Sequence, residues 1–517
     1  MVSPLSDSLK KIARGTGVAL AGTVLALLLG FVSRIIIARY GSEADYGVYS
    51  LAIVIMTFVI TLVMLGLPDG SARYIAYFRG RGKEDKVRGV TSVSLQLAAV
   101  SGVVFGAALF FSADYLAINI FHTPDLAHAL KIIAIGIPFF ALINILASVF
   151  RGFDRMEPQA YFQYALFNVL FLLLVAALAV LHLPFVDIFY FYVGALILTF
   201  TGLLIYTSRK LPQPMAVTGW RSNAGVRKEL LVFSLPLLAT GVLAALTLTA
   251  DTFLLGYFKT PEIVGLYNAA RPMAQFISEP LALMMLIYAP VATGLYAKNL
   301  MDELKRSYII STKWVVSITF PFFLVLCLFP EAVLNLLFGP AYVAAAPALR
   351  ILSIGFIVGN LLGPRVATLV ALGKIAFVFW VSLGLTAAYL LLNIVLIPPL
   401  GINGAAIALA SSLTLGGIIT AVKVYTLCRM QPLSSNLLKP IIASVVLAVI
   451  FKFATYGIAA VTWWMLILFF ILYYAIYGVA VLFTRSFDRE DIALLLEIEK
   501  MSGINATPIK KVLRRFV

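Results

Sequence analysis

Residues 16–40 read TGVALAGTVLALLLGFVSRIIIARY, a run without a charge until Arg34. It exceeds the ~20 apolar residues that carry a helix across ~30 Å of hydrocarbon. Lys10, Lys11 and Arg14 precede it in the manner of a signal peptide. The run is longer than a signal core and has no clear cleavage site, so it is read as an uncleaved first span. Gly15, Ala19, Gly22, Ala26, Gly30 and Ser33 recur every three or four residues, forming a small-residue ridge that a neighbouring helix can approach. Arg34 adjoins that ridge. A charge inside a span is costly and is a functional candidate by default.

The rest of the chain repeats this character. Of 517 residues, 62% are hydrophobic and 12% are charged, about half the ~25% charge of a soluble domain, which excludes a soluble enzyme. Apolar runs begin near Thr16, Ala44, Val90, Ala127, Pro158, Val186, Lys228, Ile263, Ser311, Val343, Lys374, Gly401, Asn436 and Ala460, giving fourteen expected spans. Each is expected to be a helix, because unpaired backbone groups cannot face lipid.

The net charge of +16 would suggest nucleic acid in a soluble protein. Here the charges report topology. Only Arg39, Lys131, Lys259 and Lys452 fall in one alternate set of loops, and Arg34, Arg271, Arg350 and Arg365 fall inside spans. The remaining Lys and Arg gather in the other loops and at the termini, which places both termini in the cytoplasm of a multi-pass plasma-membrane protein. Nucleic acid is not an expected partner.

Internal similarity divides the chain. Gly47-Val-Tyr49 recurs as Gly265-Leu-Tyr267, Leu130 to Gly136 as Leu349 to Gly355, and Tyr206-Thr207 as Tyr425-Thr426, at one spacing of about 218 residues. The expected fold is an all-α polytopic membrane protein of two parallel six-helix repeats plus two extra C-terminal helices. Residues 1–210 hold spans one to six, 211–430 spans seven to twelve, and 431–484 spans thirteen and fourteen. Residues 485–517 form a cytoplasmic tail with a short interfacial helix.

Polar residues within spans carry the functional reading. Thr240, Ala244, Thr247 and Asp251 share a face of the seventh span. Tyr267, Arg271, Gln275, Ser278 and Glu279 share one on the eighth, at a period that implies a wet surface. The four arginines inside spans outnumber Asp251 and Glu279, so an anion is missing, and the planar guanidinium fork suits phosphate. Arg350 and Arg365 are weaker candidates that can snorkel to an interface. Asp69 and Arg73 are spaced as an i, i+4 pair at the cytoplasmic end of span two, as a gate or a surface pair.

Other chemistry is not expected. His122, His128 and His182 do not assemble a metal ligand set. Cys327 and Cys428 are too separated for a disulfide framework. Gly80 to Lys83 and Gly373-Lys374 lack the P-loop pattern, so energy comes from a gradient, a potential or the substrate. Trp314, Trp463 and Trp464 read as interfacial anchors. The sequon at Asn505 lies on the expected cytoplasmic side and precedes Pro508, so it is discounted. No cofactor is expected, and a monomer is the expected state.

Tyr40-Gly-Ser-Glu-Ala-Asp-Tyr-Gly-Val-Tyr-Ser50, Gly66-Leu-Pro-Asp-Gly-Ser-Ala-Arg73, Val264 to Ala270 and Pro399-Leu-Gly-Ile-Asn-Gly-Ala-Ala406 carry a wider likeness. With them the chain resembles the polysaccharide and oligosaccharide flippases of the multidrug, oligosaccharidyl-lipid and polysaccharide exporter superfamily. The resemblance implies two six-helix lobes around a central cleft that moves a polyprenyl-diphosphate-linked glycan outward by alternating access. It further implies that Arg34 and Arg271 line that cleft, and that the extra helices form a groove for the lipid tail. Arg34 and Arg271 would then bind the diphosphate, with Gln275 and Tyr267 beside them. Asp251 and Glu279 would pair with the arginines when the site is empty, or Glu279 would carry a coupling H+ or Na+. The competing readings are a cation-coupled multidrug exporter of the same fold and, from another class, a membrane-embedded glycan polymerase. The first is disfavoured because Ser33 and Arg34 stand where drug exporters often carry a carboxylate. The second is disfavoured because the outer loops are short and hold few charges.

Overall fold

The protein is described here by a computed structural model covering residues 4–211, 224–431, 435–454 and 463–484. Every regular element among these residues is helical. Thirteen stretches are long and apolar enough to cross a membrane, and Leu468–Phe483 is a shorter apolar helix. The chain is therefore a multi-pass membrane protein. The expected start of span fourteen near Ala460 and the expected tail helix lie outside the described residues.

Two compact units form, Met1–Gly265 and Leu266–Val517. The first contains α1 (Pro4–Tyr40), α2 (Glu43–Met64), α3 (Leu67–Gly80), α4 (Glu84–Tyr115) and α5 (Asp125–Gly152). A π-helical stretch, Gln159–Leu166, leads into α6 (Phe167–Leu181), followed by α7 (Asp187–Lys210), α8 (Ala224–Phe258) and the first residues of α9 (Pro261–Gln275). The second continues α9 into α10 (Glu279–Ala297), α11 (Met301–Leu328), α12 (Pro330–Leu337), α13 (Ala346–Leu361), α14 (Arg365–Ala371), α15 (Ile375–Leu400), α16 (Ile402–Cys428), α17 (Ser435–Ala454) and α18 (Trp463–Phe483). Helix α8 groups with the first unit, whereas the expected boundary at 211 put it with the second. The reason is local packing. Gly256 on α8 lies against Leu51 of α2, Phe253 meets Phe121 edge-on with centroids 5.0 Å apart, and Gly66 is pressed against the Ser234 carbonyl.

Local chemistry explains the motif Tyr40 to Ser50. The Tyr40 hydroxyl donates to the Leu183 carbonyl (2.6 Å). Ser42 caps α2: its Oγ accepts from the Asp45 amide (3.1 Å), and Asp45 Oδ2 accepts from the Ser42 amide (2.9 Å), a reciprocal capping box. One turn on, a Cβ on Gly47 would strike the Pro261 carbonyl, and a Cβ on Gly265 would strike the Glu43 carbonyl. The two glycines therefore let the first turns of α2 and α9 touch backbone to backbone.

Several spans are broken, and at three of the breaks a side chain donates to a backbone carbonyl, in keeping with the absence of water in lipid. Between α2 and α3, Leu65 and Gly66 are left-handed (φ 49° and 70°). Ser101 donates to the Val63 carbonyl there (2.9 Å). Between α9 and α10 the chain turns at residues 276–278, and buried Asn360 donates to the Ile277 carbonyl (2.5 Å) and to Thr319 Oγ1 (3.3 Å). Near Gly363 (φ 69°), Tyr308 donates to the Leu362 carbonyl (2.6 Å). Asn360→Leu strands the Ile277 carbonyl without a partner. It is expected to cost about 1–3 kcal/mol, measurable as a lower thermal midpoint of the purified protein in detergent.

Candidate functional site

Arg34 is half-buried on α1, beside buried Ser33, whose hydroxyl turns back to the Leu29 carbonyl (3.0 Å). Its guanidinium is within electrostatic reach of Tyr46 and Tyr49 on α2 and of Tyr192 on α7. The Tyr46 and Tyr49 rings stack with centroids 6.2 Å apart, and Tyr192 meets Phe167 and Phe171 edge-on at 5.4 and 5.2 Å. No carboxylate pairs with Arg34, and no hydrogen bond holds it, among the described residues. A guanidinium set among tyrosines, without a counter-ion, is a site for an anion with several oxygen acceptors.

Asp251, expected near Ser33 and Arg34 by the repeat, is fully buried on α8, and its Oδ1 accepts from the Thr252 amide (2.7 Å). It faces no open surface.

In the second unit, the stripe Tyr267, Arg271, Gln275, Glu279 does not run along one helix. Pro272 lies inside α9, which ends at Gln275, and Glu279 opens α10. Across that break Gln275 Nε2 donates to Glu279 Oε1 (3.2 Å). Glu279 pairs with no cation among the described residues. Its expected pairing with an arginine is thus replaced by the amide of Gln275. Arg271 and Gln275 are half-buried. Tyr267 is fully buried, which removes it from any wet surface in this conformation.

The weaker candidates have other partners. Arg350 donates to Glu331 (2.7 Å) and to the Cys327 carbonyl (3.1 Å) and is 41% exposed. Arg350→Ala is therefore expected to leave transport within about twofold and stability within about 1 kcal/mol, checked by initial rates and a melting curve. Arg365 donates to the carbonyls of Gly359 (2.6 Å) and Gly363 (3.3 Å), where a cation offsets the negative end of α13. The expected Asp69–Arg73 pair does not form. Asp69 accepts from Arg151 (3.2 Å), while Arg73 lies over the Phe233 ring, 4.1 Å from its centroid. The reason is that α3 packs against α5 and α8, which supply better partners than a shared exposed face.

Sequence reasoning missed the tyrosines around Arg34. Tyr46 and Tyr49 were visible only as parts of a motif, and Tyr192 lies within an aromatic run that carries no periodic signal. It also missed Asn360, whose partner exists only because α9 breaks.

A family profile described as polysaccharide biosynthesis protein matches residues 12–291. Stage V sporulation protein B of Bacillus subtilis (strain 168) is 23% identical over 452 residues, covering 81% of this chain and 84% of that protein. Among solved structures, lipid II flippase MurJ in an inward closed conformation aligns over 89% of this chain and 97% of that one, with a TM-score of 0.68 and 16% identity. An inward-facing multidrug resistance MATE family transporter of the MOP superfamily covers 78% of this chain and 94% of that one, with a TM-score of 0.65 and 16% identity. At these identities the structural likenesses establish the fold alone.

Proposed function

This chain belongs to the polysaccharide biosynthesis protein family, and from that membership we propose that it flips a polyprenyl-diphosphate-linked oligosaccharide from the inner to the outer leaflet by alternating access. The observation that carries the reading is Arg34, a half-buried guanidinium without a counter-ion among the described residues. A partly buried charge that lacks a partner is costly, so its presence points to a ligand that supplies the opposite charge. A diphosphate does so, with two parallel charge-assisted hydrogen bonds. Arg34 and Arg271 each contribute a guanidinium in this account, Gln275 adds a hydrogen bond, and Glu279 is the group through which H+ or Na+ would couple.

Fourteen spans in two parallel repeats, with both termini cytoplasmic, complete the proposal. Support comes from matching helix ends: α1 closes at Tyr40 and α8 at Phe258, and α7 closes at Lys210 and α16 at Cys428. The last two helices are assigned to the lipid tail. They attach to the second unit through Tyr477, which donates to the Ser317 carbonyl of α11 (2.8 Å).

A cation-coupled drug exporter is the second reading, favoured by the shared fold. An uncompensated Arg34 weighs against it, because it repels a cationic drug. The deciding experiment reconstitutes the full chain in liposomes and follows two cargoes. Movement of a polyprenyl-diphosphate disaccharide without movement of a cationic dye supports the flippase. The converse establishes the exporter.

A further inference from the structure

The first unit holds a set of side-chain amides that the diphosphate assignment leaves unused. They lie on the π-helical stretch Gln159–Leu166, on the start of α6 and on the facing part of α5. Gln163 Nε2 donates to Asn144 Oδ1 (2.8 Å), and Asn144 Nδ2 donates to the Phe140 carbonyl (2.9 Å). Gln159 Nε2 donates to the Tyr164 hydroxyl (3.2 Å), and Asn168 Nδ2 donates to the Tyr164 carbonyl (2.7 Å). All five residues are half-buried. The carbonyl oxygens of Gln159, Gln163 and Asn168 accept no hydrogen bond among the described residues, and none of them is sealed from solvent.

Their position follows from helix α1. A Cβ on Gly30 would lie 3.5 Å from Asn168 Oδ1, and one on Gly22 would lie 3.1 Å from both Ala160 and Tyr164. Gly30 is one turn before Arg34 and Gly22 about three turns, so Asn168 lies beside α1 one turn from Arg34 and the π-helical stretch lies beside it farther back, over roughly 18 Å of helix rise. Asn168 is the amide that touches α1 at the turn preceding Arg34. The π-helical geometry matters here, because the wider turn breaks the ordinary spacing and is enriched where side chains serve a ligand. Amides used only to hold helices together would be expected to spend both their donors and their acceptors on one another. These keep acceptors free on residues that solvent reaches.

We propose that this amide ladder is the glycan-reading surface of the transporter, binding the hydroxyl and acetamido groups of the first sugars attached to the diphosphate. The inference rests on the diphosphate reading of Arg34. Neutral amides supply a donor and an acceptor each, which matches sugar hydroxyls, and they add no charge to compete with the guanidinium. The order along α1 sets the order of contact. Asn168 meets the sugar next to the diphosphate, and Gln163 and Gln159 meet sugars farther out.

The test uses the full chain in lipid nanodiscs and three probes: undecaprenyl diphosphate, the same lipid with one N-acetylhexosamine, and the same lipid with three sugars. Wild type is expected to bind them with rising affinity. Asn168→Leu should remove the gain from the first sugar, about fivefold, and Gln163→Leu only the gain from the outer sugars, by a similar factor. Where Gln163→Leu fails to fold, Gln163→Asn, which keeps an amide but shortens its reach, must show the same selective loss. Equal wild-type affinity for all three probes overturns the ladder and leaves Arg34 standing. Equal weakening of all three probes by both variants overturns it too, by showing that the amides merely hold the helices. Failure of wild type to bind any probe overturns the diphosphate reading along with it.

Discussion

Replacing Arg34 by alanine is expected to reduce the flipping rate of a lipid-linked diphosphate glycan about 100-fold or more, while the protein inserts and melts at the wild-type temperature or above. Two physical facts set the sign of each effect. Removing one partner from a partly buried, hydrogen-bonded charge pair costs several powers of ten in the interaction that uses it. In the empty protein, by contrast, Arg34 has no carboxylate to lose among the described residues, so the substitution breaks no ion pair. A structural arginine would give the opposite pattern, with folding lost first. Arg34→Lys discriminates further. It keeps the charge but loses the planar fork, so it should retain a small fraction of activity. Arg271→Ala is expected to lower transport comparably, read in the same assay.

The second large effect concerns packing. Gly47→Ala and Gly265→Ala each place a methyl group against a backbone carbonyl, that of Pro261 and that of Glu43 respectively. A side-chain neighbour could rotate away, but a helix backbone cannot. The helix starts must therefore separate. The expected cost is about 1–3 kcal/mol or more for each variant, seen as reduced yield and a lower melting temperature. Gly80→Ala is the control: no atom lies within 4 Å of its Cβ position, so it should behave as wild type. Equal stability of Gly47→Ala and Gly80→Ala would contradict the close approach of α2 and α9.

Much of this architecture is legible in the amino-acid order because lipid imposes one solution on a long apolar run. The first span, expected to run from Thr16 to about Ala38, lies within α1, which closes at Tyr40, and the two Gly-x-Tyr motifs follow helix starts at Glu43 and Pro261. What sequence could not reveal depends on tertiary partners. The stripe from Tyr267 to Glu279 has the spacing of one helix, yet the chain turns after Gln275, and Asn360, distant in sequence, donates to the Ile277 carbonyl in that turn. Asp69 and Arg73 have ideal spacing for each other, but Arg151 and Phe233 are brought closer by packing. The amides of α5 and α6 are single polar residues in apolar runs. Nothing in their spacing links Asn144 to Gln163, since they lie on different elements.

Arg34, on this reading, waits for a diphosphate. An experimental structure of the full chain with undecaprenyl diphosphate bound tests it most directly. Phosphate oxygens are expected about 3 Å from the Arg34 guanidinium nitrogens, with the guanidinium still within electrostatic reach of Tyr46, Tyr49 and Tyr192. A head group bound away from α1, or Arg34 turned into an ion pair with a carboxylate, would contradict it.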